Sequence, residues 1–178
     1  MAAEVRRPGA GECRALSATA VGGHAAVYNV PSVNLGRFVE VLEEGCFDGS
    51  LAEGGNVVAR FNHQHVFAST NDGNLSLRTD STGLLYLIDP APGWLLEMVG
   101  SGECTSSSFA FDIRAGGSDR WGLTDSGSLV REVADVGRLV DVAPLSIDPA
   151  YPAASDVALR GLDAGLAYRI LLERKAAW

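Results

Sequence analysis

Residues 106–111 read Ser-Ser-Ser-Phe-Ala-Phe, and this stretch decides the fold because aromatic and small side chains alternate along it with period 2. The alternation predicts a β-strand whose core face carries Ser107, Phe109 and Phe111. The opposite face carries only small or polar side chains, which leaves open space above Ser108. A hydroxyl on a rigid strand with room above it suits a nucleophile. It still requires a base to take its proton and a third group to orient that base.

Short apolar runs separated by turn residues continue on both sides of this strand and predict a β-rich α+β domain. Strands are expected at 18–29 (with a bend at Gly22-Gly23), 38–42, 57–63, 75–79, 84–88, 104–112, 129–133 and 139–145. The pair 75–79 and 84–88 has turn residues between its members and predicts a hairpin. Short helices are expected at 47–51 and 94–99, and a longer helix is expected after residue 156. Residues 116–127 are polar and glycine-rich, which predicts a long mobile loop.

Length and composition limit the classes of protein to consider. The 178 residues suit one domain, which we expect to comprise a loose arm at 1–15, a β-rich body at 16–155 and a C-terminal helix at 156–178. The net charge of −8 argues against nucleic acid as a partner. No apolar run reaches the length of a membrane span, and no secretory signal is visible. Three scattered cysteines without a CxxC pair predict reduced thiols in an intracellular compartment.

The candidate bases are the three histidines of the chain, His24, His63 and His65. His63 follows Asn62 at the end of an apolar strand, where a side chain leaves the sheet and can meet a cleft. As a general base it would need to lie within about 2.6–3.2 Å of the Ser108 hydroxyl. The alternative is a structural histidine at a strand end, bonded to a backbone carbonyl.

A metal site is a second alternative for the same histidines. His63 and His65 form an HxH pair, and on one face of an extended segment this spacing suits two metal ligands. A closed zinc site needs a third and usually a fourth ligand at fixed geometry. The remaining ligand types are scattered and form no second paired motif, so we expect no metal and no cofactor.

Asp141 is the candidate for the orienting acid, since it lies among branched apolar residues of a predicted strand. A carboxylate in that setting either faces solvent or is buried and hydrogen-bonded. In the second case it could hold the tautomer of a neighbouring imidazole. Glu40, Asp48 and Glu97 can be argued similarly, so the pattern alone does not single out Asp141.

Five blocks of sequence, in order, resemble a known family. Gly23–Asn29 (GHAAVYN) is similar to the opening strand of the tailed-phage prohead, or capsid maturation, proteases, and 38–51 (FVEVLEEGCFDGSL) is similar to their next block. Phe61-Asn62-His63 resembles the block with the catalytic histidine, and 108–111 (SFAF) resembles the strand with the catalytic serine. The segment 139–152 resembles a final block that ends in Pro-Ala-Tyr-Pro. The resemblance covers residues 18–155.

This resemblance implies an assemblin-like fold, a β-barrel surrounded by helices, and a homodimer. It implies a serine endopeptidase that cleaves scaffold protein, or a scaffold-like extension of the major capsid protein, inside the procapsid in the host cytoplasm. The site residues that it implies are Ser108 as nucleophile, His63 as base and Asp141 as orienting acid. The family more often has Glu at the last position, an acid where this chain has Gln64, and glycine where it has Ala110. A catalytically silent capsid or scaffold component is the alternative from a different class of protein.

Overall fold

The computed structural model describes residues 13–114, 119–125 and 127–146, together with the backbone of a strand at 4–6. The described strands are β1 Glu4–Arg6, β2 Arg14–Ala15, β3 Val21–Val27, β4 Phe38–Leu42, β5 Val58–Phe61, β6 His65–Ser69, β7 Leu75–Thr79, β8 Gly83–Ile88, β9 Ser106–Ile113, β10 Asp119–Leu123, β11 Leu129–Val133 and β12 Val136–Leu145. The helices are α1 Asp48–Ala52 and α2 Gly93–Ser101. The chain is therefore α+β and β-rich, as predicted. Within the described ranges the strands form three sheets and no closed barrel.

The largest sheet has the strand order β1-β9-β12-β5-β6. Its centre is the long antiparallel pair of β9 and β12, which runs from Ile113 opposite Val136 to Ser106 opposite Leu145. On its other side β12 lies parallel to β5. Because β9 lies between two strands and both its faces are covered, Ser107, Ser108, Phe109, Ala110 and Phe111 are all buried. The expectation of open space above Ser108 is therefore wrong in this conformation.

The second sheet, in the order β2-β3-β8-β7, contains the predicted hairpin of β7 and β8. Gly83 begins β8 at a point where a Cβ atom would collide with the carbonyl of Ala26 on β3, so this close approach of two backbones requires glycine. The bend predicted at Gly22-Gly23 stays a prediction. The pairing of β3 with β8 shifts register between His24 and Ala26.

The third sheet, in the order β10-β11-β4, corrects the prediction of a long loop at 116–127. Residues 119–123 of that range form β10, which pairs antiparallel with β11. The buried guanidinium of Arg131 explains this: its Nε donates to Asp119 at 2.9 Å, and its Nη1 donates to Glu40 at 3.2 Å. Local polarity does not reveal this ion-pair network, because its members lie far apart in the sequence.

The remaining predictions concern the end of one strand and the two termini of the chain. The strand predicted at 57–63 ends at Phe61, and β6 at 65–69 follows it without having been predicted. The C-terminal helix at 156–178 and most of the arm at 1–15 lie outside the described residues. The domain boundaries therefore stay predictions.

Candidate active site

His63 lies in the tight turn that joins β5 to β6. Asn62 and His63 have positive φ angles of 51° and 60°, and the Gln64 N–H donates to the Phe61 carbonyl at 3.0 Å. Two successive positive φ values closed by this hydrogen bond are the pattern of a type I′ turn. Asn suits the first position, but the second strongly favours Gly, so His63 occupies a backbone conformation that costs free energy.

Asn62 fixes this turn to the end of β12. Its backbone N–H donates to the Pro144 carbonyl at 3.1 Å. Its side-chain Nδ2 donates to Ser146 Oγ at 3.1 Å, and the Ser146 N–H donates back to Asn62 Oδ1 at 3.1 Å. These hydrogen bonds hold the histidine turn against the strand that carries Asp141.

Asp141 is the partner of the His63 ring. Its Oδ1 lies 2.9 Å from His63 Nδ1, and the two side chains are only 6% and 9% exposed. Of the two environments that the sequence left open for Asp141, the buried and hydrogen-bonded one is therefore present. The partner of Nδ1 is a carboxylate and not a backbone carbonyl. A carboxylate that accepts a hydrogen bond from Nδ1–H selects the tautomer in which Nε2 carries a free lone pair.

Ser108 lies on the same face of the sheet as Asp141. It pairs with Ala143, and Ala143 follows Asp141 by two residues on β12. Side chains two apart on one strand share a face, and directly opposed side chains on neighbouring strands do as well. Ser108 is therefore the diagonal cross-strand neighbour of Asp141. Ser107 points the other way, and its Oγ lies 2.7 Å from the buried Tyr86 hydroxyl.

Two buried atoms of this site lack a hydrogen-bond partner, namely Ser108 Oγ and His63 Nε2. Leaving a buried polar group unpaired costs about 1–3 kcal/mol, so such atoms call for an explanation. A serine hydroxyl oxygen and the Nε2 of a histidine whose Nδ1 is bonded to a carboxylate are the two atoms that a Ser-His-Asp triad brings together. Hydrogen bonds between such groups are often long before substrate binds.

The other candidates lie elsewhere. His24 pairs with Asp80 at 3.2 Å, Glu40 pairs with Arg131, Asp48 accepts from Thr79 at 2.9 Å, and Glu97 is exposed on α2. His65 begins β6 while His63 lies in the turn, so the two do not share one face of an extended segment. Among the described residues, no cluster of three or more His, Cys, Asp or Glu side chains is suited to a metal ion.

Arg60 is a site residue that the sequence analysis missed. Its Nε lies 3.4 Å from Asp141 Oδ2, the oxygen that does not face His63, and its Nη1 donates to the Gln64 carbonyl at 3.4 Å. Arg60 therefore bridges the orienting acid and the histidine turn. Its position in a predicted strand three residues before His63 was the available signal, although a surface arginine would look the same.

The segment around Arg114, which follows the strand of Ser108, is only partly described. Arg114 forms ion pairs with Glu53 at 2.8 Å and Asp135 at 2.6 Å. Its hydrogen bonds to these two carboxylates raise the pKa of the guanidinium further above its ordinary value. The described contacts of its side chain are therefore with the end of α1 and with the turn before β12. Residues 115–117 lie outside the described ranges.

The three cysteines are buried free thiols, as their number and spacing predicted. Cys13 Sγ and Cys104 Sγ lie 3.9 Å apart in the core. The hydrogen bond to Cys13 and burial raise the pKa of Cys104, and burial raises the pKa of Cys46. Thiols that are held protonated and buried make poor nucleophiles. Among the described residues, Ser108 is therefore a better candidate for the nucleophile than any of the cysteines.

Comparison with known proteins identifies a family that the chain matches. A family model described as caudovirus prohead serine protease matches residues 9–166. No curated protein and no solved structure matches the chain significantly. In the part of the chain that the structure describes, neither helix has the length and apolar character needed to cross a lipid bilayer.

Proposed function

The chain belongs to the caudovirus prohead serine proteases, and from this premise we propose that Ser108, His63 and Asp141 are its catalytic triad. It is a serine protease of the capsid maturation type. The observation that carries the assignment of residues is the pair of unpartnered buried atoms, Ser108 Oγ and His63 Nε2, beside the hydrogen bond of His63 to Asp141.

The proposed reaction is acyl transfer to the serine. Ser108 Oγ attacks the scissile carbonyl while His63 Nε2 takes its proton, and His63 then gives that proton to the leaving amine. Water attacks the acyl-enzyme in a second step, with His63 again as base. Asp141 orients the ring through Nδ1 and stabilises the imidazolium that forms. Backbone N–H groups would hold the developing oxyanion.

The proposed substrate is scaffold protein, or a scaffold-like extension of the major capsid protein, cleaved inside the procapsid in the host cytoplasm. The family assignment supports this class of substrate. The assemblin-like arrangement of the sheets stays a prediction. The homodimer is likewise proposed, with the apolar positions Leu162, Leu166 and Ile170 of the predicted C-terminal helix as its interface. Light scattering tests the dimer: a Leu166→Glu, Ile170→Glu double variant should have the molar mass of a monomer. A wild type that is monomeric at all concentrations rules the dimer out.

Co-expression with the cognate capsid or scaffold precursor tests the proposed function. Intact-mass spectrometry compares the wild type with Ser108→Ala, and Ser107→Ala serves as the matched control on the opposite face of the same strand. Specific truncation of the partner by the wild type and by Ser107→Ala, but not by Ser108→Ala, supports the proposal and maps the cleavage junction. An intact partner in all samples contradicts the proposed substrate. Truncation that persists in Ser108→Ala contradicts the proposed nucleophile.

A further inference from the structure

The strand β1 pairs with the strand that carries the proposed nucleophile. It lies antiparallel to β9, with Glu4 opposite Phe111, Val5 opposite Ala110 and Arg6 opposite Phe109. It therefore ends one residue before the position opposite Ser108. Without β1 the order of this sheet would begin with β9, whose outer backbone groups between Phe109 and Phe111 would form an open edge.

A second contact of the same N-terminal segment lies on the other side of Ser108. The Cys13 N–H donates to the Thr105 carbonyl at 3.0 Å. Ser108 thus lies between two points at which the N-terminal segment holds its strand. The exposed fraction of Ser108 is 0%, so a peptide reaches its hydroxyl only after some part of the protein has moved.

The β9 edge suits an extended peptide. Peptides bind exposed sheet edges through main-chain hydrogen bonds, which do not depend on the peptide's sequence. The chain direction of β1 carries it from Phe111 towards Ser108. A peptide in the same register would place its residues before the scissile bond along β9 and its scissile bond next to Ser108.

The two contacts differ in whether the family match covers them. The family match begins at residue 9, so it includes Cys13 and excludes β1. β1 spans three residues and, among the strands that the structure describes, pairs only with β9. A strand this short at a sheet edge is a weakly held element, because few hydrogen bonds offset the entropy of ordering it.

We propose that β1 is a built-in competitor of the substrate, which occupies the β9 edge beside Ser108 and must leave before a peptide can bind there. This inference rests on the proposed function. A competitor within the same chain reduces the fraction of binding-competent protein and so raises KM, while kcat at saturating substrate is unaffected. If β1 holds the edge for about 90% of the time, its loss lowers KM about tenfold.

The test replaces Val5 and Arg6 together by proline. Neighbouring residues of a strand point their N–H groups to opposite sides, so one of the two prolines removes an N–H group that faces β9. The matched control, Val5→Ile with Arg6→Lys, keeps side-chain size, charge and strand propensity. The substrate is a fluorogenic peptide that spans the cleavage junction mapped by co-expression. We expect the proline variant to show a KM several-fold below that of the wild type and the control, with an unchanged kcat.

Hydrogen exchange in Ser108→Ala gives a second readout that does not require turnover. Addition of the junction peptide is expected to deprotect the amides of β1 while those of β9 stay protected. An unchanged or raised KM in the proline variant overturns the inference and leaves the proposed function standing, and so does a bound peptide that leaves β1 protected. If co-expression yields no cleavage, the proposed function fails and this inference falls with it.

Discussion

At the scale of single residues, the carboxylate of Asp141 determines how His63 can act. It is buried, it accepts from Nδ1 at 2.9 Å, and its second oxygen lies 3.4 Å from Arg60 Nε. The sequence placed an acid in an apolar strand but could not choose between a solvent-facing and a buried carboxylate. That choice depends on the turn at His63, which is separated from Asp141 by 78 residues.

Replacing Asp141 by asparagine should lower kcat/KM by about 10³- to 10⁴-fold, because an amide can hold the wrong tautomer of His63 and cannot stabilise the imidazolium. Asp141→Glu is the matched control, since it keeps the carboxylate at the position where the family more often has Glu. We expect it to retain much more activity than Asp141→Asn. Steady-state kinetics on the junction peptide measures both, with the melting temperature as a check on folding. Full activity of Asp141→Asn would remove Asp141 from the triad.

At the scale of elements, the prediction from sequence and the structure differ at the turn of Asn62 and His63. The apolar run predicted the strand correctly but extended it through His63, because no Gly or Pro marks the end of β5. A type I′ turn without glycine is hard to detect from local pattern. Because the turn was not predicted, β6, which begins directly after it, was not predicted either.

Asn62→Ala should destabilise the protein by about 2–3 kcal/mol, since it removes two side-chain hydrogen bonds of about 1 kcal/mol each and puts alanine at positive φ. Asn62→Gly removes the same hydrogen bonds but tolerates the backbone conformation, so it should cost about 1 kcal/mol less. Urea unfolding compares the two variants. Equal losses of unfolding free energy would show that the backbone conformation of this turn carries no strain.

Elements with a strong local pattern were predicted well. The strand at Phe38–Leu42, the hairpin of β7 and β8 and the helix after Phe47 all agree with the structure. β10 was missed because its stability depends on the buried Arg131, which reaches Asp119 and Glu40 from a different strand. Contacts between distant residues of this kind leave no local signal.

At the scale of the whole molecule, the β-rich α+β class followed from the strand pattern, whereas the arrangement of the strands in three sheets did not. Sheet order requires pairings such as β12 with β5, and strand periodicity says nothing about which strands pair. The candidate site residues were chosen from ordered motifs, and Arg60 was missed because its contacts with Asp141 and Gln64 exist only in three dimensions.

The whole fold should lose stability above neutral pH because of its buried thiol and phenol. Burial raises the pKa of Cys46. Burial, together with the neighbouring Cys46 thiol, also raises the pKa of Tyr28. An unfolded thiol releases its proton at about pH 8.5, so above that pH the unfolded state binds fewer protons and unfolding becomes more favourable. The contribution is complete below about pH 8 and is lost as the pH rises from there.

Unfolding free energies measured between pH 7 and pH 10.5 check this prediction. Cys46→Ala should reduce the alkaline slope by up to about 1.4 kcal/mol per pH unit, the limit for one proton. The variant also loses packing, so the comparison is between slopes and not absolute stabilities. Identical slopes in the wild type and in Cys46→Ala would show that Cys46 does not contribute.

The most direct test of the central claim, that Ser108 is activated by His63 held by Asp141, is covalent labelling with a small alkyl fluorophosphonate followed by peptide mapping. The wild type should acquire a single adduct at Ser108. His63→Ala should label orders of magnitude more slowly, because no base takes the Ser108 proton. Ser107→Ala should label like the wild type. An adduct on a different serine, or equal labelling rates in the wild type and His63→Ala, would contradict the account.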